Sequence, residues 1–119
     1  MKQAFLTLIS VLFCITAVAG DFIHPLEFRG TEKEKKEVIA YIKEHTKDTY
    51  SAVGMDDPIT LRMMEKEELK SFKELTEVKD RMLLNAVIVQ YSAVGMDTYS
   101  VILMMYREQK KASEDSLEW

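Results

Sequence analysis

The sequence predicts an all-α protein, two duplicated αα-hairpins closed into a four-helix bundle about a pseudo-two-fold axis. The first reason is internal repetition. Tyr50-Ser51-Ala52-Val53-Gly54-Met55-Asp56 returns unchanged, 41 residues later, as Tyr91-Ser92-Ala93-Val94-Gly95-Met96-Asp97. The same offset pairs Met63-Met64 with Met104-Met105, Glu67 with Glu108 and Lys70 with Lys111, so that 11 of the 21 positions from Tyr50 to Lys70 are identical in the second copy. Self-similarity at such a period marks a supersecondary unit made twice. The other two reasons are helix-start signals placed nearly in phase with the repeat, and apolar residues spaced by three and four between them.

Residues 1–20 have the makings of an export signal and are left out of the fold. Lys2 begins a short positive region, positions 4–16 are apolar with small hydroxyl interruptions, and Ala17-Val18-Ala19 suits signal peptidase, which predicts cleavage after Ala19 or Gly20. The apolar run is short for a bilayer span and no charged stop-transfer flank follows it, so no stable membrane anchor is expected. Cys14, the only cysteine, follows the bulky Phe13 and lies too early for a lipoprotein site. Its removal leaves a cysteine-free chain. Small domains exported by eukaryotic cells usually carry disulfides, so this composition points to a bacterial periplasmic or secreted protein. The whole chain has a net charge of −4, and loss of Lys2 makes it one unit more negative. With no basic stripe carrying interleaved aromatics, nucleic acid is not expected as a partner.

Positions 21–30 read as an extended arm, with Pro25, a terminal Gly30, and four apolar side chains, Phe22, Ile23, Leu26 and Phe28, in need of cover. Thr31-Glu32-Lys33-Glu34 is a capping box and opens the first helix. Val38, Ile39, Ile42, His45, Thr49, Ala52 and Val53 then make its apolar face, until Gly54 supplies the left-handed stop. Asp57-Pro58 is an N-cap with proline at the first helical position, and Leu61, Met64, Leu69 and Phe72 mark the buried face of a second helix. Ser71-Phe72-Lys73-Glu74 resembles another capping box, and a break is expected there, dividing one helical domain over 31–112 into repeats 31–70 and 71–112. The third helix is then expected over 72–94, apolar on all sides and buried from 82 onward; the fourth over 98–111, capped by Asp97 or Thr98; and 113–119 as an acidic tail. The β-branched and aromatic content of Val87-Ile88-Val89 and Tyr99-Ser100-Val101-Ile102 admits an α+β alternative with a C-terminal β-hairpin. The Glu- and Lys-rich first copy argues for helix.

Candidate chemistry is sparse. His24 and His45 are the only histidines, and neither has a nucleophile or carboxylate at a spacing that defines a catalytic pair, so no enzyme and no cofactor are expected. Soft-metal binding is an alternative, because Met63, Met64, Met104 and Met105, with His45, offer ligands of the kind that suit Cu(I). Adjacent methionines diverge on a helix, however, and methionine is a common filler of cores and adaptable surfaces. The repeated heptapeptide is the better candidate. If both copies lie at one end of a pseudo-two-fold bundle, Tyr50, Met55, Asp56, Tyr91, Met96 and Asp97 form a doubled patch for a protein partner. The expected role is that of an inhibitor, immunity protein or adaptor, with a homodimer formed through the apolar third or fourth helix.

Overall fold

The computed structural model describes residues 21–119, and the expected export signal lies outside the described residues. The fold is an all-α four-helix bundle. After a short 3-10 turn at Pro25–Glu27 come α1 (Glu32–Ser51), α2 (Pro58–Leu75), α3 (Arg81–Ser92) and α4 (Tyr99–Ser113). Among the described residues there is no strand, and the segments weighed as a β-hairpin lie in α3 and α4.

The local start and stop signals operate as their chemistry requires. Thr31 accepts the Glu34 amide while Glu34 returns to the Thr31 amide, closing the capping box of α1. Asp57 accepts the Thr60 amide at the start of α2, and Thr98 accepts the Val101 amide at the start of α4. The two copies of the heptapeptide close their helices with the same bonds. The amides of Met55 and Met96 donate to the carbonyls of Tyr50 and Tyr91 at 2.8 Å, and those of Gly54 and Gly95 to Ser51 and Ser92 at 3.1 Å. This is the paired arrangement in which a left-handed residue ends a helix, and the glycines supply it with φ of 74° and 76°. A Cβ at either glycine would meet nothing within 4 Å. Gly54→Ala and Gly95→Ala are therefore expected to act through the backbone alone, each lowering stability by about 1 kcal/mol and by nearly equal amounts in urea denaturation.

The break expected at Ser71 is absent: α2 continues to Leu75, and the chain turns at 76–80 instead. Ser71 is only 3 % exposed, and Leu69, Phe72 and Leu75 continue the apolar face through the supposed boundary. Stopping at Ser71 would have left Leu75 uncovered, so burial outweighs a local capping pattern. Glu74, expected to reach back to Ser71, pairs with Arg107 of α4. The third helix starts late, at Arg81, where Asp80 accepts the Leu83 amide. Nor is it buried all round: Leu84, Val87 and Ile88 face the core, whereas Met82 and Val89 are 84 % and 71 % exposed.

The second correction concerns symmetry. Packing runs α1 on α2, α2 on α4 and α4 on α3. Contacts along the central pair show that α2 and α4 point the same way, Glu68 lying opposite Tyr99 and Ser100, and Glu74 opposite Arg107. A two-fold along the bundle axis would place Tyr99 level with its repeat partner Pro58. It lies about ten residues further along α2, a slide of about 15 Å at the rise of an α-helix. The hairpins are thus related by a step along the helices, as in stacked repeats.

The arm ties the two hairpins together. Phe22 packs on Tyr41 and Tyr99, and Phe28 meets Phe72 edge-on with centroids 5.0 Å apart. The Tyr99 hydroxyl donates to the Ile23 carbonyl at 2.9 Å and accepts the Ile23 amide at 3.1 Å. His24 Nδ1 accepts the Leu26 amide, which leaves Nε2 as the N–H that donates to Asn85 of α3 at 2.6 Å. All four apolar side chains of the arm pack against this chain's own core.

Candidate functional site

The slide between the hairpins creates the site. Because α4 begins beside the middle of α2, the last turns of α1 and the first turns of α2 extend past it and leave a groove of ≈ 230 Å³. Its α1 wall is built from residues one turn apart, Tyr41 with His45 and Thr46 with Tyr50. Met64, Glu67 and Glu68 of α2 form the floor, and Thr98, Ser100 and Val101 at the start of α4 close the far end.

Polar groups in the groove are held by partners from separate elements. The Tyr50 hydroxyl donates to the Met64 sulfur. Tyr41 donates to the Asp97 carbonyl at 3.4 Å, and His45 Nε2 stands 3.9 Å from the Asp97 carboxylate. Glu68 accepts the Tyr99 and Ser100 amides, at 2.7 and 3.1 Å, with one carboxylate oxygen each. These amides have no carbonyl inside their own helix, so a side chain of α2 completes the start of α4. Glu67 is exposed at the rim and has no ion pair among the described residues.

Burial, with the nearby carboxylates of Asp97 and Glu68, raises the Tyr41 hydroxyl above its usual value; burial does the same to Tyr99, which is 0 % exposed. The folded state therefore holds these protons more tightly than the unfolded chain. Their contribution is complete below pH about 10 and falls as pH rises beyond it toward the raised folded values. The expected result is an alkaline transition in which tyrosinate absorbance from these two residues and loss of helical circular dichroism develop together.

The structure places the six sequence-predicted residues at different levels. Tyr50 lines the groove, and Asp97 stands at its edge beside His45. Met55 and Asp56 are carried to the tip of the first hairpin, both exposed, with Asp56 accepting from Ser51. Tyr91 is half-buried against the core of the second hairpin, and Met96 is exposed beyond it. The two loops do not lie side by side, because the slide separates them. The candidate metal ligands are similarly divided. Met63 and Met104 face outward, Met105 packs against the core, and Met64 shares the groove with His45. Among the described residues no three His, Cys, Asp or Glu side chains are grouped to hold a metal.

Sequence reasoning missed Tyr41 and Glu68, which do most to define the groove. Tyr41 could have been found from its position one turn before His45. Glu68 could not, because its function depends on a helix 31 residues away. Compared with known proteins, the chain matches no family model, and no curated protein or solved structure shows significant similarity to it.

Proposed function

We propose that the protein is an exported, non-enzymatic helical module, periplasmic or secreted, that binds a protein partner as an inhibitor, immunity protein or adaptor does. The observation that carries the reading is the groove itself: two tyrosines and a methionine beside an exposed carboxylate, placed where two hairpins leave a step. Tyrosine and methionine give broad apolar contact at low cost in side-chain order, and Glu67 favours a basic group on the partner. The carboxylates next to the groove have structural duties, Glu68 on the amides of α4 and Asp97 beside His45, which leaves recognition as its main chemical capacity. Export rests on residues 1–20 and on the absence of cysteine after Cys14.

The test pairs affinity capture from envelope extracts with Tyr50→Ala and Glu67→Lys. Both side chains are at least partly exposed, so the helical spectrum should persist while capture of the partner falls at least tenfold. Natively folded variants that capture the same partner as well as wild type, or a turnover activity with no reproducible partner, would overturn the reading.

A further inference from the structure

One side of the α1–α2 hairpin gathers positive charge that the chain as a whole lacks. The sequence has 20 acidic against 16 basic side chains, yet three adjoining hollows on this hairpin are lined by six lysines and only two carboxylates, Glu74 and Glu77. Glu74 is already paired with Arg107 of α4. The middle hollow is a cleft of ≈ 360 Å³ between the two helices, and no carboxylate lines it. It shares Lys35 and Ile39 with the hollow on α1, and Leu69 and Lys73 with the hollow on α2, so lysines flank it on both sides.

Helical spacing explains the arrangement. Lys35, Ile39 and Lys43 follow one another at steps of four on α1, and Lys66, Leu69 and Lys73 at steps of three and four on α2, so each helix presents an apolar residue with a lysine one turn to either side. Val38 and Phe72, 1 % and 2 % exposed, belong to the core beneath, and Phe28 of the arm closes the cleft against Phe72. Lysine stems lie along apolar surface while their ammonium groups stay at the water boundary, which puts positive charge at the mouth of an apolar recess. Among the described residues Lys73 has no ion pair, and Lys35 has one, with Glu32 at 3.4 Å on the open surface, where such a pair is worth little and exchanges readily. The Thr76 hydroxyl donates to the Lys73 carbonyl of its own helix at 2.6 Å. The charge offered to a ligand here is therefore that of the two lysines.

We propose that this cleft binds an amphipathic anion, an apolar chain carrying one carboxylate or comparable acidic group. The chain lies against Phe28, Ile39 and Leu69, and the anion meets Lys35 and Lys73 at the mouth. A recess of this volume with apolar walls and a few charged groups that fix orientation is the usual form of a small-molecule site. Charge sets the class of ligand: a cation would be repelled from every side, and a neutral chain would leave the ammonium groups unmatched. The site is separate from the groove between the hairpins and does not rest on the groove's having a partner.

Titration calorimetry of the purified protein with decanoate, kept below its micellar concentration, should show one saturable site with a Kd on the order of 100 µM or tighter, within the range open to a ligand of that size. Amide shifts in nuclear magnetic resonance should centre on Val38, Ile39, Leu69 and Phe72 and spare Tyr50 and Met64 of the groove. Decan-1-ol, the same chain without the charge, should bind at least about fivefold more weakly. Lys73→Glu should weaken decanoate about fivefold and leave decan-1-ol unchanged, whereas Ile39→Asp should weaken both; the two side chains are exposed, so helical content should be kept. Phosphatidylglycerol vesicles separate the sources of such a ligand. Co-sedimentation that decanoate competes away would assign the cleft to a lipid acyl chain, and decanoate binding without co-sedimentation would assign it to a free acid. No decanoate binding, equal binding of decan-1-ol, or decanoate binding that ignores Lys73→Glu would overturn the proposal. So would vesicle binding without decanoate binding, which would signify adsorption of the charged face as a whole.

Discussion

Tyr99→Ala is expected to cost about 3–5 kcal/mol, the largest effect of any single substitution considered, and enough to consume much of the stability of a domain this size. Tyr99 is 0 % exposed, and its ring meets Phe22, Tyr41 and Phe72 at centroid distances of 5.2, 5.5 and 4.9 Å. One residue therefore joins the arm, α1, α2 and α4. Removing it loses the transfer energy of an aromatic ring and leaves a cavity where three others converge. Tyr99→Phe isolates the hydroxyl, which both donates to and accepts from Ile23, and should cost about 1–2 kcal/mol. The arm gives the distinguishing measurement. In Tyr99→Phe the core persists while proteolysis within 21–28 accelerates; in Tyr99→Ala the urea midpoint itself collapses. A Tyr99→Ala midpoint close to wild type would show that the four-ring cluster is not the keystone of this fold.

Glu68→Ala should follow in magnitude, at about 2–3 kcal/mol, because it strands two amides at once. The first turn of α4 has three amides in need of outside acceptors, and Thr98 takes only that of Val101. Glu68 takes the other two. In the first hairpin the same problem is smaller, since Pro58 stands where Tyr99 does and has no amide, while Asp57 serves Thr60. Proline in one copy and a distant carboxylate in the other are two answers to one helix-start requirement. Glu68→Gln keeps one oxygen acceptor and should cost about half as much. Amide exchange in the first turn of α4 gives a direct reading. Glu68→Ala should raise exchange at Tyr99 and Ser100 and leave Thr60 at the start of α2 unchanged; equal protection in wild type and variant would remove Glu68 as the cap.

Legibility of the fold followed the range of the bonds involved. The capping box at Thr31, the Asp57-Pro58 start and the glycine stops were all recognisable, because each is made within five residues of chain. The Ser71 box was recognisable too and was overridden, because the cost of exposing Leu75 appears only when α2 is seen packed against α1 and α4. The expectation of an all-round buried third helix failed for a related reason. Met82 and Val89 are apolar yet stay exposed among the described residues, and apolar composition alone does not say whether a neighbour is present. A smaller part of the site was legible: Tyr50, Met64 and His45, which line the groove, and Asp97 at its edge were candidates by sequence, but as members of two different sites.

By itself, the sequence determined that the chain is four helices, the caps that open α1, α2 and α4, the glycine turns and the fact that one hairpin is made twice, since all of these depend on φ and ψ preferences, on local amide partners and on apolar spacing. The tertiary structure alone decided that the second hairpin slides along the first, that Glu68 completes α4, that the arm closes over Tyr99, and that the slide opens a groove. Those outcomes rest on contacts such as Glu68 with Tyr99, 31 residues apart, and Ile23 with Tyr99, 76 apart. Contacts at such separations follow no periodic pattern in the sequence. They are set when helix surfaces find the register that buries the most apolar area while leaving the fewest amides unpaired.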